Sequence, residues 1–158
     1  MKRYREATEK DVLLIIGMIK ELARYENAEE KAQASEEDIL NNVIHNKHAR
    51  VIFAINDEDK EVGFALFFYN FSTWTGKKGL YLEDLFVLEE YRKQGFGKFL
   101  IKTLGEIAIK EDCARFEWQC LDWNKPSIDF YLSLGAKPMN EWTQYRLEGK
   151  SLLNIVNK

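Results

Sequence analysis

The stretch from Leu80 to Leu88 is apolar except for Glu83 and Asp84, and it runs into Arg92-Lys93-Gln94-Gly95-Phe96-Gly97. Beyond the glycines, Leu100, Leu104, Ile107 and Ala108 recur on one helical face. A buried strand that feeds a glycine turn and then an amphipathic helix confines the chain to α/β architectures. The same turn points to a ligand. Amide N–H groups at a helix start face outward, and the positive end of the helix dipole favours an anion. Glycine lets that anion approach the backbone without a Cβ in the way. Arg92, Lys93 and Lys98 add positive charge. A glycine pair at such a junction also serves as a plain turn, but in this setting it predicts a pyrophosphate site. The pattern is not a GxxxxGK[ST] phosphate loop, and it lacks the third glycine of a dinucleotide fingerprint.

The rest of the chain supplies a complete set of elements. Residues 2–6 predict a short strand. Thr8-Glu9-Lys10-Asp11 carries a capping-box signal, followed by Ile15, Ile16, Ile19, Leu22 and Ala23 at helical spacing, with an end near Tyr25. Ser35-Glu36-Glu37-Asp38 repeats the signal ahead of Ile39, Leu40, Val43 and Ile44. Arg50–Ile55 and Glu61–Tyr69 predict a hairpin across the polar turn Asn56–Lys60, and Ser72–Gly79 reads as a loop. Arg115–Leu121 predicts a strand. Asn124-Lys125-Pro126-Ser127 opens a short helix that Gly135 closes, and Trp142–Leu147 predicts a last strand. The order β-α-α-β-β-β-α-β-α-β describes one α/β domain over residues 1–158, with a sheet of mixed direction.

Composition excludes several function classes. A content of 46% hydrophobic and 31% charged residues belongs to a globular chain rather than a disordered one. With 26 acidic and 23 basic residues, the charge of −3 argues against nucleic acid as a partner. No apolar stretch is long enough to cross a membrane, and the segment after Met1 does not read as a signal peptide. Cys113 and Cys120 form no CxxC or disulfide pattern, which fits a reducing cytoplasm, and Cys120 reads as a small buried residue. His45 and His48 have no Cys or acid cluster beside them, so they read as exposed residues and no metal is expected.

Arg92-x-x-Gly95-x-Gly97 resembles the pyrophosphate loop of the GNAT superfamily, which binds acetyl-CoA. The likeness extends through Leu22-Ala23-Arg24-Tyr25-Glu26, Gly63-Phe64-Ala65, Tyr81–Val87, Tyr91-Arg92, Trp123–Ser127 and Phe130-Tyr131. In that order these blocks are similar to the diamine acetyltransferase branch, which includes spermidine/spermine N1-acetyltransferase and thialysine acetyltransferase. The resemblance implies a GNAT fold, with a mixed, mostly antiparallel central sheet flanked by helices. It implies a homodimer and acetyl transfer from acetyl-CoA, as co-substrate, to a primary amine of a small polyamine or diamine. A lysine-like amino acid such as thialysine or a protein amine is the alternative within the enzyme class. A thialysine-like substrate carries a carboxylate and needs a cation, for which Arg24 and Arg146 are available. A CoA- or polyamine-binding sensor without turnover is the alternative outside it.

Carried over residue by residue, the resemblance implies that Tyr131 protonates the departing CoA thiolate. A thiol pKa of about 8.5 and a phenol pKa of about 10 make that transfer reasonable; otherwise Tyr131 is core packing beside Ile128 and Leu134. An alkyl amine, with pKa about 10.4, arrives as ammonium and must lose a proton before it attacks. Glu83, an acid inside an apolar strand, is implied to take that proton, through water, and to bind the amine; the structural reading is a partnered carboxylate. Asp84, on the opposite face of a regular strand, reads either as a polyamine contact or as a structural salt bridge. Tyr25 and Glu26 are implied substrate residues at what is also an ordinary helix end, and Glu29 and Glu30 extend that acidic stretch. Leu85, Phe86 and Val87 are implied to pair their backbone with the pantetheine arm. A backbone N–H there also suits polarisation of the thioester carbonyl. Lys93, Gln94, Phe96 and Lys98 complete the cofactor loop with Arg92, Gly95 and Gly97. Asn124, Lys125, Pro126 and Ser127 contact the cofactor from the other side, although Asn124 also suits a plain helix start.

Overall fold

The computed structural model describes residues 1–157, which divide into a unit of Met1–Gln119 and a second beginning at Cys120. The first unit is built on a five-stranded sheet in sequential order. Strands β1 (Arg3–Glu6), β2 (Arg50–Ile55), β3 (Glu61–Ser72) and β4 (Lys77–Val87) pair antiparallel, and β5 (Arg115–Trp118) joins β4 in parallel. Helix α1 (Val12–Tyr25) follows a 3-10 turn at Glu9–Asp11. Helix α2 (Glu36–Ile39) runs on as a π-helical segment, Leu40–His45. Helix α3 (Phe96–Lys110) connects β4 to β5.

Both faces of the sheet are covered, which is why β2 and β3 are apolar at odd and even positions alike. Val51, Phe53, Phe64, Leu66 and Phe86 form one cluster with Ile15, Met18, Leu22 and Ile39 from α1 and α2. Against β2, β3 and β4 also lies α3, whose Leu100, Leu104, Ile107 and Ala108 are all buried, as their spacing requires. Each fully buried Phe or Leu in these layers contributes roughly 1.5–3 kcal/mol through loss of apolar surface from water. Both helix-start signals hold: Asp11 accepts from Thr8 N at 2.7 Å, and Asp38 accepts from Ser35 N at 2.8 Å.

Several sequence expectations are corrected. Residues 77–79 are strand rather than loop, because β3 and β4 pair as far as Ser72↔Lys77. Strand β5 stops at Trp118, short of Leu121. Cys120 is only partly buried. The second unit holds α4 (Lys125–Ser133) and α5 (Lys150–Asn154), and Trp142–Leu147 is not a strand there. That segment is β-prone, but propensity is a weak prior that tertiary context overrides. Trp142 and Tyr145 are 73% and 90% exposed, so apolar character alone does not order the segment as a strand.

Two features of β4 shape the site. Parallel pairing with β5 ends at Leu82↔Trp118, so Asp84–Val87 continue beyond β5. The register with β3 also slips: Leu66 opposes Asp84 and Phe67 opposes Leu82, which leaves Glu83 as the extra residue of a β-bulge.

Candidate active site

Beyond the C-terminal end of β4 the chain makes a short 3-10 turn, Glu89–Tyr91, and reaches α3 through two left-handed residues, Lys93 (φ 61) and Gly95 (φ 84). Gly95 is the N-cap of α3, and its φ is one that a side chain disfavours. The first backbone bond across it runs from Phe99 N to Gly95 O at 3.0 Å. The amides of Phe96, Gly97 and Lys98 therefore lie ahead of the helical ladder and remain available as donors. A Cβ built on Gly97 would meet nothing within 4 Å, so the space above that backbone belongs to no protein atom. This opening, at the positive end of a fifteen-residue helix, fits the diphosphate of acetyl-CoA.

The side chains of this loop divide unevenly. Phe96 is buried, with its ring edge-on to Tyr91 at 6.4 Å, so only its backbone can meet a ligand. Gln94 donates Nε2 to the Glu90 carbonyl at 3.0 Å. Lys93 and Lys98 are exposed. Arg92 does not project freely into the anion site. Its Nε donates to the Val87 carbonyl at 3.0 Å, and its guanidinium lies 4.8 Å from the Tyr25 ring and 5.2 Å from the Phe86 ring. A cation the sequence reading passed over is Lys2. Its Nζ sits 5.1 Å from the Phe96 ring and 3.7 Å from the Cβ position of Gly95. No local signal links residue 2 to the loop; the antiparallel order of β1 beside β2 brings its start to that end of the sheet.

The acids are arranged differently from the sequence expectation. Glu83, read as an acid buried in a strand, is exposed at the bulge. Asp84 is the desolvated one. Burial, then the carboxylates of Glu83 and Glu26, push its carboxyl up to about 6. Burial also raises Glu26, against the opposing charge of Lys31. The end of α1 and the bulge of β4 thus bring Glu26 and Glu83 each within electrostatic reach of Asp84. Strict alternation of faces does not apply across a bulge, and none of the ion pairs among the described residues includes Asp84. Its reading as a salt-bridged structural acid is therefore not supported. Arg24 is paired with Glu21 and lies 3.9 Å from Glu29, and Arg146 lies 4.0 Å from Glu148.

In the second unit, Asn124 caps α4 by accepting from Ser127 N at 3.4 Å, and Pro126 occupies its first turn. Lys125 pairs with Asp129 at 2.9 Å on the helix surface. Tyr131 is half-buried on α4, its ring centroid 5.5 Å from that of Phe130, and Gly135 closes the helix at φ 84. His45 and His48 are exposed, and among the described residues no group of three or more His, Cys, Asp or Glu could hold a metal. Among the same residues no helix is long and apolar enough to cross a membrane.

A sheet of this order, a strand that outruns its parallel neighbour, and a helix start with free amides suit a transferase that takes an acyl-CoA. The acetyltransferase (GNAT) family model matches residues 16–136, and the chain belongs to that family. It is 37% identical to thialysine N-epsilon-acetyltransferase of Sus scrofa, over 98% of this chain and 96% of the relative. It is 38% identical to L-ornithine N5-acetyltransferase of Arabidopsis thaliana, over 67% of this chain and 52% of the relative. Among solved structures it resembles an integron cassette protein from the mobile metagenome of V. cholerae, with a TM-score of 0.82 and 32% identity, over 99% of this chain and 98% of that one. The chain is accordingly an N-acetyltransferase that takes acetyl-CoA as co-substrate.

Proposed function

We propose that this chain, acting as a single catalytic domain, acetylates a terminal primary amine of a diamine or polyamine of the spermidine or spermine kind. The observation that carries this reading is the acidic trio of Glu26, Glu83 and Asp84, an environment that a multiply charged ammonium compensates. Asp84 and Glu26 hold the ammonium, with Tyr25 beside them. Glu83, exposed at the bulge, accepts one ammonium proton through water, and the amine lone pair is released for attack. Acetyl-CoA supplies the acetyl thioester on which that amine acts directly. The amides of Phe96, Gly97 and Lys98 hold the diphosphate. The backbone of Leu85–Val87 lines the pantetheine arm, with Asn124–Ser127 as further contacts. Tyr131 gives its hydroxyl proton to the departing thiolate as the C–S bond breaks, and the proton that the acylated nitrogen sheds restores the phenol. The exposed aromatic residues of 142–147 support a homodimer, and two cysteine thiols suit the cytoplasm.

A second reading, acetylation of the side-chain amine of a thialysine- or ornithine-like amino acid, is favoured by the names of the relatives. The discriminating experiment is CoA release against spermidine, spermine, putrescine, thialysine and ornithine. The proposal expects the highest kcat/KM with a polyamine or diamine. A preference of tenfold or more for the amino acids, about 1.4 kcal/mol, would overturn it. Binding of CoA without release on any amine would instead establish the sensor. Tyr131→Phe is expected to lower kcat by about 100-fold with little change in CoA affinity. Light scattering tests the dimer, and a monomer at working concentration would refute it.

A further inference from the structure

The motif spacing marks Arg92 as a phosphate-loop charge, yet its side chain is committed elsewhere. The guanidinium lies over two aromatic rings, 4.8 Å from that of Tyr25 and 5.2 Å from that of Phe86. Its Nε is fixed by the Val87 carbonyl at 3.0 Å. These contacts join three pieces of chain: the last residue of α1, the end of β4 and the approach to the loop that starts α3.

We propose that Arg92 is a positioning residue for the amine, fixing the end of α1 so that Glu26 faces Asp84. The inference rests on the reading of Glu26 and Asp84 as the ammonium site.

Three observations carry it. Tyr25 closes α1 while 38% exposed, so burial alone does not hold this end of the helix. The chain then turns away through Glu26 to Asn27, which takes a left-handed φ of 54. Backbone bonds close this turn, from Glu26 N to the Leu22 carbonyl at 3.0 Å and from Ala28 N to the Ala23 carbonyl at 2.9 Å, but they fix the main chain and not the direction of the side chains that leave it. Glu26 follows Tyr25 directly, so the ring under Arg92 sets where that carboxylate starts. Glu26 in turn lies near enough to act on Asp84. A planar guanidinium suits this role, because it can stack on a ring with its face while it donates from its edge; an ammonium cannot do both. Because Arg92 is three residues before Gly95, the same segment that carries the cofactor loop also braces the amine side.

The test is Arg92→Lys, which keeps the charge and removes the plane, with Tyr25→Leu approaching the same contact from the other side. Melting temperatures report folding of both variants. Kinetics use spermidine, with thialysine in parallel, and calorimetry measures CoA binding at two salt concentrations. The expected result is a rise of about tenfold in the amine KM for each variant, with CoA affinity held within about twofold and its salt dependence unchanged. The double variant should be no worse than either single one, since both break one contact. The proposal is overturned if Arg92→Lys weakens CoA by about tenfold or lowers its salt dependence, or if it leaves the amine KM unchanged. It is overturned as well if the two substitutions multiply.

Glu26→Gln separates the layers of the argument. If it leaves the amine KM unchanged, the ammonium site itself is wrong. If it raises that KM while Arg92→Lys and Tyr25→Leu do not, the site stands and the brace alone fails. Turnover of neither spermidine nor thialysine sinks both.

Discussion

Asp11 and Asp84 are two aspartates shielded from water in the same unit, and they titrate in opposite directions. Arg5 donates to both oxygens of Asp11 at 2.8 Å, and Thr8 N adds a third bond at 2.7 Å. The Arg5 bond, ahead of the cost of burial, holds the Asp11 carboxyl down at about 2. Arg5 also reaches Glu61 at 2.7 Å and lies 5.0 Å from the Phe53 ring, so this acid ties β1 and the start of α1 to β3 and the core. Burial, and then the charges of Glu83 and Glu26, push Asp84 up to about 6. A carboxylate that the fold has compensated completes the fold. One that the fold leaves among other acids costs stability when ionised, and a bound cation relieves that cost.

The sharpest way to break this contrast is to neutralise each acid. Asp84→Asn is expected to lower kcat/KM for the best amine by about 100-fold, while Asp11→Asn changes it by no more than about twofold. Equal losses in steady-state assays would erase the distinction.

Stability should show the reverse order. Arg5→Ala leaves Asp11 shielded without its cation, and urea unfolding should report a loss of about 2–4 kcal/mol. Asp84→Asn removes a disfavoured charge and should stabilise the protein by about 1–2 kcal/mol at pH 7, despite its effect on turnover.

The signs with pH follow. A carboxyl raised on folding binds its proton more tightly in the native state, so its contribution to stability falls as pH rises from about 4 to about 6. A depressed carboxyl does the opposite: the contribution of Asp11 is present above about 4 and is lost as pH falls towards about 2. Urea unfolding across this range should show that Asp84→Asn removes the first slope and leaves the second. The amine KM should also fall as pH passes upward through about 6, and that inflection should vanish in Asp84→Asn.

The smallest effect is a control. Lys93→Gly relieves a left-handed φ of 61 and should add about 0.5–1 kcal/mol. It touches neither acid, so both pH slopes should persist.

Elements set by local periodicity were legible in the sequence. The buried stripe of α3 and the all-buried run of β2 lie where spacing places them, and the Ser35–Asp38 cap and the proline and glycine that bracket α4 hold as read. The errors share a cause. The bulge at Glu83 is a mismatch between two strands, and neither strand alone encodes it. The exposure of Glu83 and the shielding of Asp84 follow from that mismatch. Arg92 reads as a loop charge because its motif is local; Tyr25, which it meets, is far away in sequence. Trp142–Leu147 has strand-forming residues, but β-propensity does not make it a strand.

By itself, then, the amino-acid order determined most of the elements, the left-handed turn that leaves amides free ahead of α3, and the family. Those are properties of short segments, governed by backbone preference and by the spacing of apolar side chains. Which acid is shielded, which arginine braces the amine side and which lysine stands beside the loop were decided only by tertiary structure. Desolvation and Coulomb interaction depend on distance through space, and that distance is set when strands separated in the chain take their register.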